Sequence, residues 1–271
     1  MTDQQPTTPV RPHRALRITL LATGSALVAA TLVVGGVQFA QAATAEDDSG
    51  VYAVEGRFRT LDVDSSAAAV TVRYADVDEA EIAFDSGDRP LRLEHRMRGT
   101  TLEVEVEDRG WWIFNAFSGS GPAHLDITLP SALAPIDATV GSSAGGIDLA
   151  GDFGAVRLDS SAGDVELSGS AASLDAESSA GDVTALDLEI SGTVAVDTSA
   201  GNTTVSFASL PEQIRMESSA GGIRVALPDG RYDIRTEVSA GSVDNSLRNT
   251  PGADRIYSFE TSAGSITLEP R

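Results

Sequence analysis

The tripeptide Ser-Ala-Gly recurs seven times in the second half of this chain, at nearly constant spacing. Its central alanines are Ala144, Ala162, Ala180, Ala200, Ala220, Ala240 and Ala263, so successive copies lie 18, 18, 20, 20, 20 and 23 residues apart. A unit this short cannot bury a hydrophobic face alone, and its copies must stack on one another.

The residues around each alanine form columns. Six before it stand Ala138, Val156, Leu174, Val194, Ile214, Ile234 and Tyr257. Four before are Val140, Leu158, Ala176, Val196, Met216, Thr236 and Phe259. Two before are Ser142, Ser160, Ser178, Thr198, Ser218, Val238 and Thr261. Three after come Ile147, Val165, Val183, Thr203, Ile223, Val243 and Ile266, and five after Leu149, Leu167, Ala185, Val205, Val225, Asn245 and Leu268. This period of two on either side of a glycine corner predicts two short strands per repeat, each with one face inward. The fold class is therefore all-β: a parallel β-solenoid, β-helix-like, of 18–20-residue coils. Each coil rises about 4.8 Å, and the crossovers are expected to be right-handed. The Ser/Thr column points inward at the bend, where hydroxyls satisfy one another and nearby backbone groups, a structural role.

One more match lies upstream. Leu61, Val63, Ser65, Ala67, Val70 and Val72 take the same relative positions, with Ala68 where glycine would stand. A first coil is thus expected near residues 57–73. In the insertion that follows, Glu81-Ile82-Ala83-Phe84, Leu91-Arg92-Leu93, Leu102–Val106 and Leu125–Leu129 read as strands. They read as a β-sheet cap at the N-terminal end of the solenoid, covering an edge that would otherwise stay open. First coil and cap fill residues 57–130, and the repeats fill 131–271.

Ahead of them, residues 18–40 run ITLLATGSALVAATLVVGGVQFA with no ionisable side chain. Twenty-three helical residues span a hydrocarbon core of roughly 30 Å. Arg11, Arg14 and Arg17 precede the segment and Glu46, Asp47 and Asp48 follow it. This places tail 1–17 in the cytoplasm and, beyond linker 41–56, the rest outside it. The rival reading is a signal peptide cleaved at Ala40-Gln41-Ala42, which would release a secreted protein. The apolar stretch exceeds the usual 7–15 residues of such a signal, which favours a single-pass anchor in the cell membrane.

Charge narrows the partners. The chain holds 40 acidic residues against 19 basic, all arginine, for a net charge of −21. Such a surface repels nucleic acid and anionic lipid headgroups. With no cysteine, disulfides and thiolate metal sites are excluded. With 5% aromatics the core must come from small and β-branched side chains.

Ser-Ser-Ala-Gly-Asp-Val at 160–165 and 178–183, with Leu125-Asp-Ile-Thr-Leu-Pro130 leading into the repeats, resembles the DUF4097 family of bacterial exported or membrane-anchored proteins, described as "putative adhesins". The resemblance covers roughly residues 51–271. It implies a β-solenoid without catalytic residues or cofactor. Five copies lack the aspartate, so the corner does not require it.

Two features are candidates for function. Three residues before each alanine stand Gly141, Asp159, Glu177, Asp197, Glu217, Glu237 and Glu260, with Asp64 in the upstream coil. This column points to solvent. It reads either as a weak divalent-cation strip or as a solvated face laced by Arg157, Arg215 and Arg235. The second feature is Trp111-Trp112-Ile113-Phe114-Asn115-Ala116-Phe117. It reads either as a plug under the cap or as an exposed patch for a partner. Only His13, His95 and His124 supply imidazoles, and no phosphate loop, nucleophile elbow or metal-ligand spacing occurs.

The expected function is a non-enzymatic, membrane-anchored extracytoplasmic solenoid, adhesin-like, contacting an envelope protein or glycan. One alternative is an envelope-stress component whose exported domain engages a membrane sensor. Another is a glycan-active β-helix enzyme, which rests on fold analogy alone. No motif specifies an oligomeric state.

Overall fold

The computed structural model describes residues 49–108 and 121–271. Tail 1–17, segment 18–40, residues 41–48 of linker 41–56 and the aromatic cluster 111–117 lie outside the described residues. Among the described residues no helix is long and apolar enough to cross a membrane.

Seven strands precede the repeats: Gly50–Val54 (β1), Thr60–Ser65 (β2), Ala68–Ala75 (β3), Ala80–Asp85 (β4), Leu91–Arg98 (β5), Thr101–Asp108 (β6) and Ala123–Pro130 (β7). Ten more build them: Ile136–Ser142 (β8), Ile147–Ser160 (β9), Val165–Ala180 (β10), Val183–Ile190 (β11), Thr193–Ala200 (β12), Thr203–Phe207 (β13), Gln213–Ala220 (β14), Ile223–Leu227 (β15), Asp233–Asn245 (β16) and Ile256–Pro270 (β17). The fold is all-β and solenoid-like. Every coil has one arm before its corner and one after, and equivalent arms pair in parallel. Val165 lies between Ile147 and Val183, and Ile223 between Thr203 and Ile266. The columns read from sequence are therefore physical stacks, with members such as Leu149, Val196 and Val225 buried.

Spatial order departs from chain order at both ends. The coil of β2 and β3 lies between the coil of β6 and β7 and that of β8 and the start of β9. The insertion thus contributes a complete parallel coil, not only a cap. The cap proper is antiparallel: β5 on β6, β4 on β7, and β1 on β4. Across its mouth the rings of Tyr52 and His95 meet at 5.3 Å between centroids. At the far end β17 inserts between the coil of β14 and β15 and the coil of β16, so the last two copies are exchanged relative to the expected succession. The side chains explain this. β17 carries Tyr257, Phe259, Ile266 and Leu268 inward, all buried, and such residues need a coil on both sides. β16 offers Thr236, Val238 and Asn245 at equivalent positions and tolerates the outside. The wider spacing before the seventh copy supplies the chain that doubles back.

The corner accounts for its own sequence. Ser142 Oγ donates to Gly145 O at 2.8 Å and accepts from Gly145 N–H at 2.9 Å, and Ser65 does the same with Ala68. The hydroxyls thus staple their own bends and do not bond one another. Thr198 and Thr261 depart from this and donate to a neighbouring coil, Thr198 to Glu217 O at 3.4 Å and Thr261 to Gly221 O at 3.2 Å. The Gly221 carbonyl is the one Ser218 would use, and Ser218 Oγ is left buried without a hydrogen-bond partner among the described residues. Glycine follows from close approach: a Cβ on Gly201, at φ 138°, would sit 2.1 Å from Gly181 O.

Candidate functional site

The outer face of the arms before the corner is the most extended organised surface of the molecule. Ten strands each place one residue in a single column. In spatial order these are Glu94, Glu105, Asp64, Gly141, Asp159, Glu177, Asp197, Glu217, Glu260 and Glu237. Only Gly141 interrupts the carboxylates. Glu94 and Glu105 were not anticipated, because they lie in the insertion. The signal was nevertheless present: Leu102-Glu103-Val104-Glu105-Val106 repeats the pattern of Leu61-Asp62-Val63-Asp64-Ser65, and the two strands pair residue for residue.

Adjacent unit charges at a 4.8 Å strand spacing repel by roughly 0.9 kcal/mol in bulk water and more at a protein surface. The arginines relieve this unevenly. Arg157 bridges Asp175 and Glu177 of the next coil, the latter at 2.9 Å, and Arg215 pairs with Glu217. Arg235 turns instead to Asp233 at 3.3 Å, leaving Glu237 outside its reach and correcting the expected pairing. At the cap, Arg98 holds Glu103 at 3.3 Å, with Arg96 beside it.

Repulsion and partial burial show in the titration of the column and of Asp62 beside it. Burial, then the neighbouring Glu103 and Asp64, pushes the carboxyl of Asp62 up. Asp64 is raised by burial and by Asp159 and Glu107. Glu105 is raised by burial and by Glu107, and Asp197 by burial, with Arg215 opposing. The face is thus a negative strip under self-repulsion, suited to attract cationic groups. Its geometry is a ladder, one carboxylate per rung. Among the described residues no set of three or more His, Cys, Asp or Glu side chains gathers where a metal ion would sit.

The other outer face explains the intermittent aspartate. Asp164 Oδ1 accepts from Asp182 N–H at 2.9 Å, Asp182 Oδ1 from Asn202 N–H at 2.7 Å, and Asn202 Oδ1 from Gly222 N–H at 3.1 Å. These side chains sew one coil to the next, so Gly222, as the final donor, needs no side chain of its own. The two described histidines lie apart. His95 packs on Tyr52 in the cap, where burial lowers its pKa, whereas His124 on β7 lies opposite Asp85 of β4. An open cleft of about 480 Å³ at the β16 end is lined by Asp229, Tyr232, Leu247 and Arg248 among others.

A parallel β-solenoid with an antiparallel cap and a charged ladder along one face is the class this geometry defines. The chain belongs to the DUF4097 family, the Toastrack family, whose model matches residues 58–269. It is similar to three solved structures. A "putative lipid binding protein" from Parabacteroides distasonis ATCC 8503 is 13% identical, with TM-score 0.48, over 82% of this chain and 97% of that one. A "putative adhesin" from Bacteroides fragilis NCTC 9343 is 14% identical, with TM-score 0.43, over 82% and 96%. A "putative cell adhesion protein" from Clostridium sporogenes ATCC 15579 is 14% identical, with TM-score 0.40, over 83% and 100%. No curated protein matches the chain.

Proposed function

We propose that this protein is a non-enzymatic, adhesin-like contact scaffold, anchored in the membrane by residues 18–40 with its solenoid outside the cytoplasm. The observation that carries the reading is the unbroken outer face of ten strands with its ladder of carboxylates. Such a face offers a large contact area with aligned charge rather than an enclosed reaction chamber. The described chain begins at Ser49, next to β1 at the edge of the cap. Nine coils put about 40 Å between the cap and the β16 end.

Crosslinking on intact membranes, followed by purification of the full chain, tests the reading alongside binding to a panel of envelope glycans. Retained glycan binding without a single stoichiometric membrane protein is expected. Capture of one stoichiometric membrane sensor would replace adhesion with signalling. Turnover of any polysaccharide in the panel would refute the non-enzymatic assignment.

A further inference from the structure

Among the described residues β16 pairs with β17 alone, so one edge of the outermost coil is open to them. In inner coils the equivalent groups are engaged: Gly181 N–H donates to Ala200 O at 3.1 Å, and Val165 N–H to Asp182 O at 2.8 Å. Two bonds fix which residues of β16 face outward. Asp233 N–H donates to Arg255 O at 2.8 Å, so the odd residues of the first arm face β17, and Thr236 and Val238 face away. Ser246 N–H donates to Leu268 O at 2.9 Å, so in the second arm the even residues face β17, and Val243 and Asn245 face away. Asn249 closes the edge at Ile234, accepting from its N–H at 2.9 Å and donating to its carbonyl at 3.2 Å. The open edge therefore runs from Thr236 to Asn245.

At Thr236, Val238 and Asn245 its side chains reverse the inner pattern. Val238 stands where the other repeats carry Ser or Thr, and Val243 is 43% exposed. Thr236 and Asn245 stand where inner coils carry mostly larger apolar residues. Two valines thus flank the corner, with two polar residues outside them.

We propose that this edge pairs with the same edge of a second copy, about a two-fold axis through the corner between Ala240 and Gly241. That rotation lays the first arm of one copy antiparallel on the second arm of the other. Val238 then faces Val243 of the second copy, and Thr236 faces Asn245, apolar on apolar and polar on polar. Each such pair joins two outward-facing residues, which is what a hydrogen-bonded antiparallel pair requires. A shift of one residue sets an outward-facing residue against one engaged with β17. A shift of two sets Val238 against Gly241 or Asn245. On the outer face Glu237 meets Asp244 of the second copy, a like-charge contact that weakens the pair. So short an edge buries less than the roughly 800 Å² per partner of a stable complex. The pair therefore forms where copies are concentrated. The two caps lie at its opposite ends.

The chain has no cysteine, so single substitutions report the register directly. Full chains carrying Val238→Cys and Val243→Cys are mixed in detergent under mild oxidation. A linked dimer is expected to form at least about 5-fold faster in the mixture than with either variant alone. Glu237→Arg turns two like-charge contacts into opposite ones and is expected to tighten association about 5-fold or more. Val243→Asp, at an exposed position, is expected to abolish it. Linking no faster in the mixture than in the single variants, or association indifferent to both charge changes, overturns the pair. The same chains in phosphatidylcholine vesicles separate this from the adhesive reading. Clustering that survives Val243→Asp overturns the pair and keeps adhesion. Linking in detergent without clustering keeps the pair and removes any role for it in bringing vesicles together.

Discussion

At the cap the stack runs on past its last parallel coil into antiparallel strands, whereas at β16 it stops on a coil that no further described strand covers. The cap buries large side chains to its edge: Ile82 and Leu102 are fully buried, and Phe84 and Leu91 nearly so. Its outermost strand, β5, shows Arg92, Glu94, Arg96 and Arg98 to the outside, charges that discourage further pairing. At the other end the chain thins the core instead, placing Thr236 and Asn245 in apolar columns and laying Asn249 over Ile234. A solenoid can thus close by adding covered strands or by making its final coil tolerant of water. The second route leaves backbone groups available.

The interior sets the scale for testing this contrast. Gly201→Ala meets a backbone carbonyl and a positive φ at once, and is expected to cost roughly 3 kcal/mol or more. Gly252→Ala, in the β16-end loop at φ 79° with open space around it, should cost about 1 kcal/mol. Urea unfolding of both variants checks the difference, and similar midpoints would remove close coil approach as the reason for the corner. Ile82→Ala in the cap is expected to lose roughly 2–4 kcal/mol, and Val243→Ala under about 0.5 kcal/mol. If the two losses are equal, the ends do not differ as described.

Asn249→Ala removes both side-chain bonds to Ile234 and should cost about 1–2 kcal/mol. Amide exchange should accelerate first at Ile234, and a rise spread over every coil would show that the loop is not a local closure. The smallest effect belongs to the charged ladder. Asp62, Asp64, Glu105 and Asp197 have raised pKa values in the folded chain, so the folded state holds protons that the unfolded state releases. Their contribution to stability is present at acid pH and lost as pH rises through the raised values. Melting temperature should accordingly increase as pH falls from neutrality toward the ordinary carboxylate range. Asp64→Asn should raise it at pH 7 by the equivalent of at most about 1 kcal/mol and flatten the slope. A melting temperature that falls over this range would mean that the arginine pairs outweigh the repulsion.

The repeat was legible because its physics is local. Period-two burial and a glycine at each close approach imprint every coil separately, so the columns containing Val165, Val183 and Ile223 could be read and stacked from spacing alone. Most of the acidic column was legible for the same reason. Glu94 and Glu105 entered it only through strand pairing across the insertion, which no regular spacing encodes.

The order of the coils was decided by tertiary structure. Nothing local tells β17 to slip beneath β16. That choice compares the burial of Tyr257 and Phe259 against the exposure of Thr236 and Asn245, a competition that exists only when both coils seek the same place. The aspartate staples are likewise a tertiary fact, since Asp164 has its bonding partner eighteen residues away, in a coil brought alongside by folding. Side-chain alternation and backbone crowding are short-range and were written along the chain. Which coil covers which depends on free-energy differences between whole arrangements, and only the assembled molecule expresses them.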